Sequence, residues 1–298
     1  MKRKYLAALL ALTLLSGLVM PVSAEEVQDA PSDVETIRIA SAEEFLTFAK
    51  NCVLDSWSQN KQVLLTADIS LEETDFAPIP TFGGSFDGGG HTISGLSLTQ
   101  NLSPAGLFGI LQPTAVVKNL TVQGIVTPGG DGLSVGGVAG ENYGTVENGT
   151  FIGTVVGKTN TGGIAGMNYG TLRACRAEGN VTGDNRTGGI VGYNCGSLVS
   201  CRSSASVNTE SVDPTINPKD IRLDFSMDFS KTANLNDSDA ASDTGGIAGY
   251  SSGTITSCVN SGSVGYPHIG YNLGGVAGRS CGFVEGCRNE GFITGRKD

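Results

Sequence analysis

The sequence predicts an all-β solenoid: a parallel, three-sided β-helix closed at its N-terminal end by a short capping helix. Three observations lead there. A glycine-framed pentapeptide recurs five times, three short β-prone segments fill each period, and no segment inside a period reaches the roughly 10 residues that a helix needs. The pentapeptide Gly136-Gly137-Val138-Ala139-Gly140 returns 26 residues on at Gly162 to Gly166, and after another 26 at Gly188 to Gly192. Copies at Gly245 to Gly249 and Gly274 to Gly278 follow 57 and 29 residues later.

Aligned on its first glycine, each copy contributes to the same columns. Val146, Leu172, Leu198, Ile255 and Val284 form an aliphatic column, and Cys175, Cys201, Cys258 and Cys287 form a second with Gly149 at its head. Val155, Val181, Val207, Val264 and Ile293 form a third. Coils stacked about 4.8 Å apart turn such columns into the ladders of a narrow core. Glycine is expected at the corners, where φ is positive or where a Cβ would strike the next coil. The handedness rule for parallel crossovers favours a right-handed coil. Asn142, Asn168 and Asn194 form a partial amide ladder able to bond along the axis.

The phrase Gly-Gly-Ile-Ala-Gly-Met-Asn-Tyr-Gly-Thr-Leu at 162–172 resembles the GLUG-motif repeats of secreted and surface proteins of bacteria, including some attached to immunoglobulin A peptidases. The resemblance runs from Gly136 onward with one interruption. It implies a passive β-helical surface module, and such repeats carry no catalytic residues to transfer.

In chain order, residues 1–24 read as a secretory signal. Lys2, Arg3 and Lys4 precede the apolar run Leu6 to Met20, and Val22-Ser23-Ala24 forms a small-residue cleavage site. Its removal takes three positive charges from a formal net charge of −10, leaving −13. That acidity argues against nucleic acid or an anionic membrane as partner, and no second apolar run of spanning length follows. The expected location is secreted or at the cell surface.

Residues 25–40 read as a polar linker, and 41–104 as the cap and the first irregular coils. Ser41 with Glu44 fits a capping box, and Phe45, Leu46, Phe48, Ala49 and Val53 fit one helix face. Ala105 to Gly109 is a degenerate pentapeptide opening the repeat region 105–298. The 57-residue spacing leaves an acidic insertion at about 208–243, with eight acidic residues against three basic. Within it Ile221, Leu223, Phe225, Met227 and Phe229 alternate with polar residues, a half-buried strand pattern and a candidate contact element. Tyr143 and Tyr169 are expected to point outward, where exposed rings can stack on sugars.

Reactive constellations are sparse. The cysteine column reads as buried filler, Cys195 and Cys281 share a column with Ser252 between them, and no CxxC occurs. With only His91 and His268, no metal site is expected, and no cofactor. The glycine-rich pentapeptides lack the Lys-Ser/Thr pair and following helix of a phosphate loop. The leading expectation is therefore a non-catalytic exported module presenting a binding or adhesion surface to an extracellular protein or glycan. Two alternatives stand beside it. One is a polysaccharide lyase or glycoside hydrolase of β-helix architecture, with Asp87 and His91 as the pair to watch. The other is a stalk or scaffold piece of a longer surface protein, with self-association through the C-terminal coil as one way to cover its open edge.

Overall fold

The computed structural model describes residues 34–209, 242–266 and 272–295. The signal segment and the alternating residues Ile221 to Phe229 lie outside these ranges. The described chain is a parallel β-solenoid of about eight turns with a single helix among them. Every strand pairs in parallel with its counterpart in neighbouring coils, and the register follows the repeat: Val146 pairs with Leu172, Leu172 with Leu198, Leu198 with Ile255, and Ile255 with Val284. The degenerate copy is in step too, since Phe108 pairs with Ala139.

Each regular coil carries four strands where the sequence suggests three segments. In the coil opening at Leu133 they are Leu133–Gly136, Ala139–Asn142, Thr145–Glu147 and Thr150–Val156. Their counterparts build four sheets of five, seven, nine and nine strands. The pentapeptide is a corner joining two strands, which is where the fourth strand comes from. The physical reason is crowding. A Cβ on Gly162 would run into the Ala165 carbonyl oxygen and lie 2.6 Å from the Cα of Val191 in the next coil. The backbone turns here because nothing but hydrogen fills the space.

The left-handed corners, in contrast, are held mostly by residues other than glycine. One column of positive φ is Ser134, Asn160, Arg186, Asp243 and Asn272, and a second is Asn148, Ala174, Ser200, Ser257 and Gly286. Asparagine, aspartate and serine tolerate this region through local side-chain bonds, whereas Ala174 carries a strain of about 1 kcal/mol.

Inside the coils the aliphatic ladder is fully buried from Val146 to Ile255, while Val284 in the last coil is half open. Cys175, Cys201 and Cys258 are buried and all seven thiols are free. Cys175 and Cys201 each direct Sγ at a carbonyl oxygen one coil back, Val146 and Leu172, at 3.4 Å. Asn142 Nδ2 donates to Asn168 Oδ1 at 2.7 Å, Asn168 to Asn194 at 2.8 Å, and Asn194 to Ser251 Oγ at 3.0 Å. All four are fully buried, so each amide replaces the water it loses with its neighbour in the stack.

At the N-terminal end, Glu35–Ile39 is a strand paired with Lys61–Leu65, inside the stretch expected to be linker. Alternation of Ile37 and Ile39 with Arg38 explains it: one face meets the core and the other meets solvent. The helix Ala42–Asn51 follows. Ser41 Oγ accepts from the Glu44 N–H at 3.3 Å, and the Glu44 carboxylate accepts from the Ala40 N–H at 2.7 Å. Its buried face is Phe45, Phe48 and Ala49, extended by Cys52, whereas Val53 is 65% exposed because the helix ends before it. Phe45 stacks on Phe76, and Phe48 meets Phe82 and Phe86, which in turn meet Phe108. Aromatic bulk thus plugs the first coils, where the narrow ladders have not yet begun.

The excursion leaves and rejoins one corner of the stack. Asn208 Nδ2 donates to Gly183 O and to Thr244 Oγ1, each at 3.0 Å, and its Oδ1 accepts from the Gly183 N–H at 2.9 Å. Register is kept across the gap, with Val207 opposite Val264.

Two substitutions separate the two kinds of corner. Gly162→Ala is expected to cost about 3 kcal/mol or more through backbone overlap. Ala174→Gly is expected to be neutral or to stabilise by up to about 1 kcal/mol. Denaturation midpoints at unchanged slope measure both; an unaltered midpoint for Gly162→Ala would refute the steric reading of the pentapeptide.

Candidate functional site

The outer face of the seven-stranded sheet carries a ladder of aromatic and charged side chains, most of them partly exposed. From Ala139–Asn142 to Ala248–Ser251 its strands are buried at every position but the third, and that third position is Glu141, Met167, Tyr193, Tyr250 and Arg279 in successive coils. Just past each strand end stand Tyr143, Tyr169, Cys195, Ser252 and Cys281. The two columns interleave their rings. Tyr143 and Tyr169 stack with centroids 4.8 Å apart and planes 5° off parallel. Tyr169 meets Tyr193 edge to face at 6.4 Å, and Tyr193 stacks on Tyr250 at 5.3 Å and 8°. Four tyrosines therefore form one ribbon across four coils.

Two guanidiniums are laid against it. Arg186 lies 5.0 Å from the Tyr193 centroid and 5.7 Å from that of Tyr250, and Arg279 lies 4.8 Å from that of Tyr250. Arg279 is also paired with the buried Asp243 at 2.8 Å. The Tyr143 hydroxyl donates to Glu141 Oε2 at 3.1 Å.

The phenols are held neutral. Burial, followed by the charge of Glu141, pushes Tyr143 up to about 12. Tyr169 is raised by burial first and then by Cys195, Tyr193 by its bond with Cys195, and Tyr250 by its bond with Cys281. The stacking changes what the ribbon offers. Sugar stacking needs open ring faces, and here Tyr143 and Tyr169 give one face each to the other, while Tyr193 and Tyr250 meet each other and the guanidiniums. The hydroxyls make the ribbon a row of donors and acceptors, on rings whose centroids are 4.8, 6.4 and 5.3 Å apart.

Tyr143 and Tyr169 were within reach of sequence reasoning because they share a column. Tyr193 and Tyr250 escaped it because they stand two residues earlier in the period, in the column of Glu141 and Met167. Reading columns two apart as neighbours on one strand end would have joined them. Arg186 and Arg279 lie in separate columns again, and only folding brings them together.

Elsewhere Asp87 and Asp68 find separate partners. Asp87 does not meet His91. Burial pushes Asp87 up, but bonds from the Gly89 N–H at 2.9 Å and Asn119 Nδ2 at 3.1 Å, with Lys118 at 3.4 Å, outweigh it and hold its carboxyl below the usual range. His91 Nδ1 instead lies 3.2 Å from Asp68, whose carboxyl is lowered first by the Thr92 N–H and then by His91. On the nine-stranded sheet that begins with Glu35–Ile39, Asp87, Lys118, Glu147 and Arg173 alternate in charge up successive coils. Among the described residues no group of three or more His, Cys, Asp or Glu is placed to hold a metal ion. No helix among them is long and apolar enough to cross a membrane.

No family model matches the chain. An aligned stretch of 119 residues is 40% identical to halomucin of Haloquadratum walsbyi; it covers 34% of this chain and spans 1% of halomucin's length. A crystal structure of a Bacteroides ovatus protein described as a candidate immunoglobulin A1 protease shares the fold, with a TM-score of 0.55 over 90% of this chain and 85% of that one, at 17% identity. This neighbour corrects the expectation that the chain is not an enzyme. A solenoid of the same architecture carries a protease name, so absence of catalysis does not follow from the architecture. At that identity the likeness is one of fold, and no residue role passes across it.

The thiols offer a direct check of the geometry. Burial pushes Cys52 up to about 12. Cys201 and Cys258 are raised first by their bonds to the neighbouring thiol of the ladder, and Cys287 by burial. In the native protein a thiol reagent at neutral pH is expected to modify Cys281, which is exposed, and the half-buried Cys195, while Cys52, Cys175, Cys201 and Cys258 stay protected until unfolding. Mass mapping reads the result; rapid labelling of Cys201 would contradict the interior ladder.

Proposed function

We propose that the chain is an exported β-solenoid module of the GLUG-motif repeat class, and that it engages an extracellular protein or glycan through its tyrosine ribbon. The observation that carries this reading is the run of four tyrosines and two arginines on one face of the solenoid. Aromatic and arginine side chains are the types enriched where binding energy concentrates. They stand on paired strands, so their spacing is set before a partner arrives and little ordering cost remains. The signal-like start and the aligned stretch with halomucin agree with a place outside the cell. A scaffold role in a longer protein uses the same surface.

The test is binding of the exported chain to an array of glycans and matrix proteins, with released sugar and cleaved peptide followed on the same array. Tyr193→Ala combined with Tyr250→Ala is expected to weaken a saturable interaction by about 2 kcal/mol, roughly thirtyfold, with stability shifted far less. Tyr→Phe at the same two positions is expected to lose a smaller part of it, through the hydroxyls alone. Binding indifferent to both pairs of changes would remove the ribbon from consideration.

A further inference from the structure

Arg186 has unfilled bonding capacity that the ribbon does not use. It occupies a left-handed corner at φ 56°, next in register to Asp243. That carboxylate is turned away, to Arg279 at 2.8 Å and to Asn272 Nδ2 at 2.8 Å. Arg186 Nη1 makes one long approach, 3.5 Å, to Asn160 Oδ1, and its Nε is buried with no partner among the described residues. None of the ion pairs among the described residues includes it. Two ring faces hold the cation in place while most of its donors stay open. Such a group is a receptor for an anion, and its planar fork suits a carboxylate.

The surroundings narrow the ligand. On this face Arg279 is balanced by Asp243, Glu141 keeps its negative charge while accepting from the neutral Tyr143 two coils away, and Arg186 is the cation that no ion pair among the described residues balances. The chain as a whole is formally −10, so a dense polyanion meets repulsion beyond this one point. A ligand with an isolated carboxylate does not. Along the ribbon the ring centroids step unevenly, at 4.8, 6.4 and 5.3 Å, whereas an extended peptide presents same-side groups at one regular interval of 6 to 7 Å or so. A chain of sugar rings carries hydroxyls at every residue and stays in contact.

Given the ribbon as the binding face, we infer that it takes a glycan carrying an isolated hexuronate, with the sugar carboxylate on Arg186 and neighbouring sugar hydroxyls on the phenol edges of Tyr169, Tyr193 and Tyr250. The inference rests on the reading of the ribbon proposed above, and its test keeps the two apart.

The probes are an oligosaccharide ending in glucuronate, its methyl ester, and an acidic peptide of similar length, each titrated into the full chain. The wild type is expected to prefer the acid over the ester by roughly 10- to 100-fold, the range of a charge-assisted hydrogen bond. Arg186→Gln is expected to erase that preference, acid and ester then binding alike, with the unfolding midpoint close to wild type, and Arg186→Lys to restore part of it. Equal binding of acid and ester by the wild type, or a preference that survives in Arg186→Gln, overturns the inference. So does Arg186-dependent binding of the peptide without binding of the glucuronate. If Tyr193→Ala weakens acid and ester alike but the wild type does not distinguish them, the ribbon stands and the carboxylate assignment falls. If the tyrosine changes leave every titration unaltered, both fall.

Discussion

The close approach of backbone to backbone at the glycine corner is the constraint on which the rest of the molecule depends. Each pentapeptide brings two strands of one coil against the next coil with no side chain between them, so that Gly162 lies where any Cβ would overlap Ala165 and Val191. That contact fixes the height of a coil and, with it, the register of every column. The aliphatic ladder, the asparagine stack and the thiol column are all consequences of equal height. A coil slightly taller at one corner would break the amide chain from Asn142 to Ser251, leaving buried donors that cost about 1–3 kcal/mol each.

The same regularity builds the outer face. A side chain placed outward once is placed outward in every coil at the same height, so tyrosines scattered over more than a hundred residues of sequence arrive within stacking distance. Their contacts are with each other before they are with any ligand. The face is therefore firm, and part of the ring surface that an isolated tyrosine would leave to solvent is taken up by a neighbour. Function on such a surface is a matter of which columns are decorated, and the inner ladders are free of it.

Much of the core was legible in the sequence because the spacing of 26 is kept without error where coils are regular, and columns of Val, Leu, Ile and Cys then name themselves. The fourth strand was not legible. Leu133–Gly136 and its counterparts contain Thr161, Thr187 and Thr244, fully or nearly fully buried, in a place where hydropathy alone suggests a turn. The left-handed columns were missed for a related reason: positive φ was assigned to glycine, while Asn160, Arg186 and Asp243 hold it. At the candidate site half of the ribbon was visible. The other half depends on two columns sharing a strand end, and the arginines come from a different corner of the coil. Those are facts of three dimensions that no single column contains.

Asn208 has a consequence for how this protein can change. By binding Gly183 on one side and Thr244 on the other, it ties the two roots of the excursion to a single corner, and Val207 still faces Val264 as if nothing intervened. The length of whatever lies between the roots is thus decoupled from the stack. Closing a longer connection costs only about 0.6 kcal/mol for each doubling. The solenoid can therefore host a segment of almost any size at this point without paying in its own register, which makes the corner a natural graft point where new sequence can be tried while the old architecture holds.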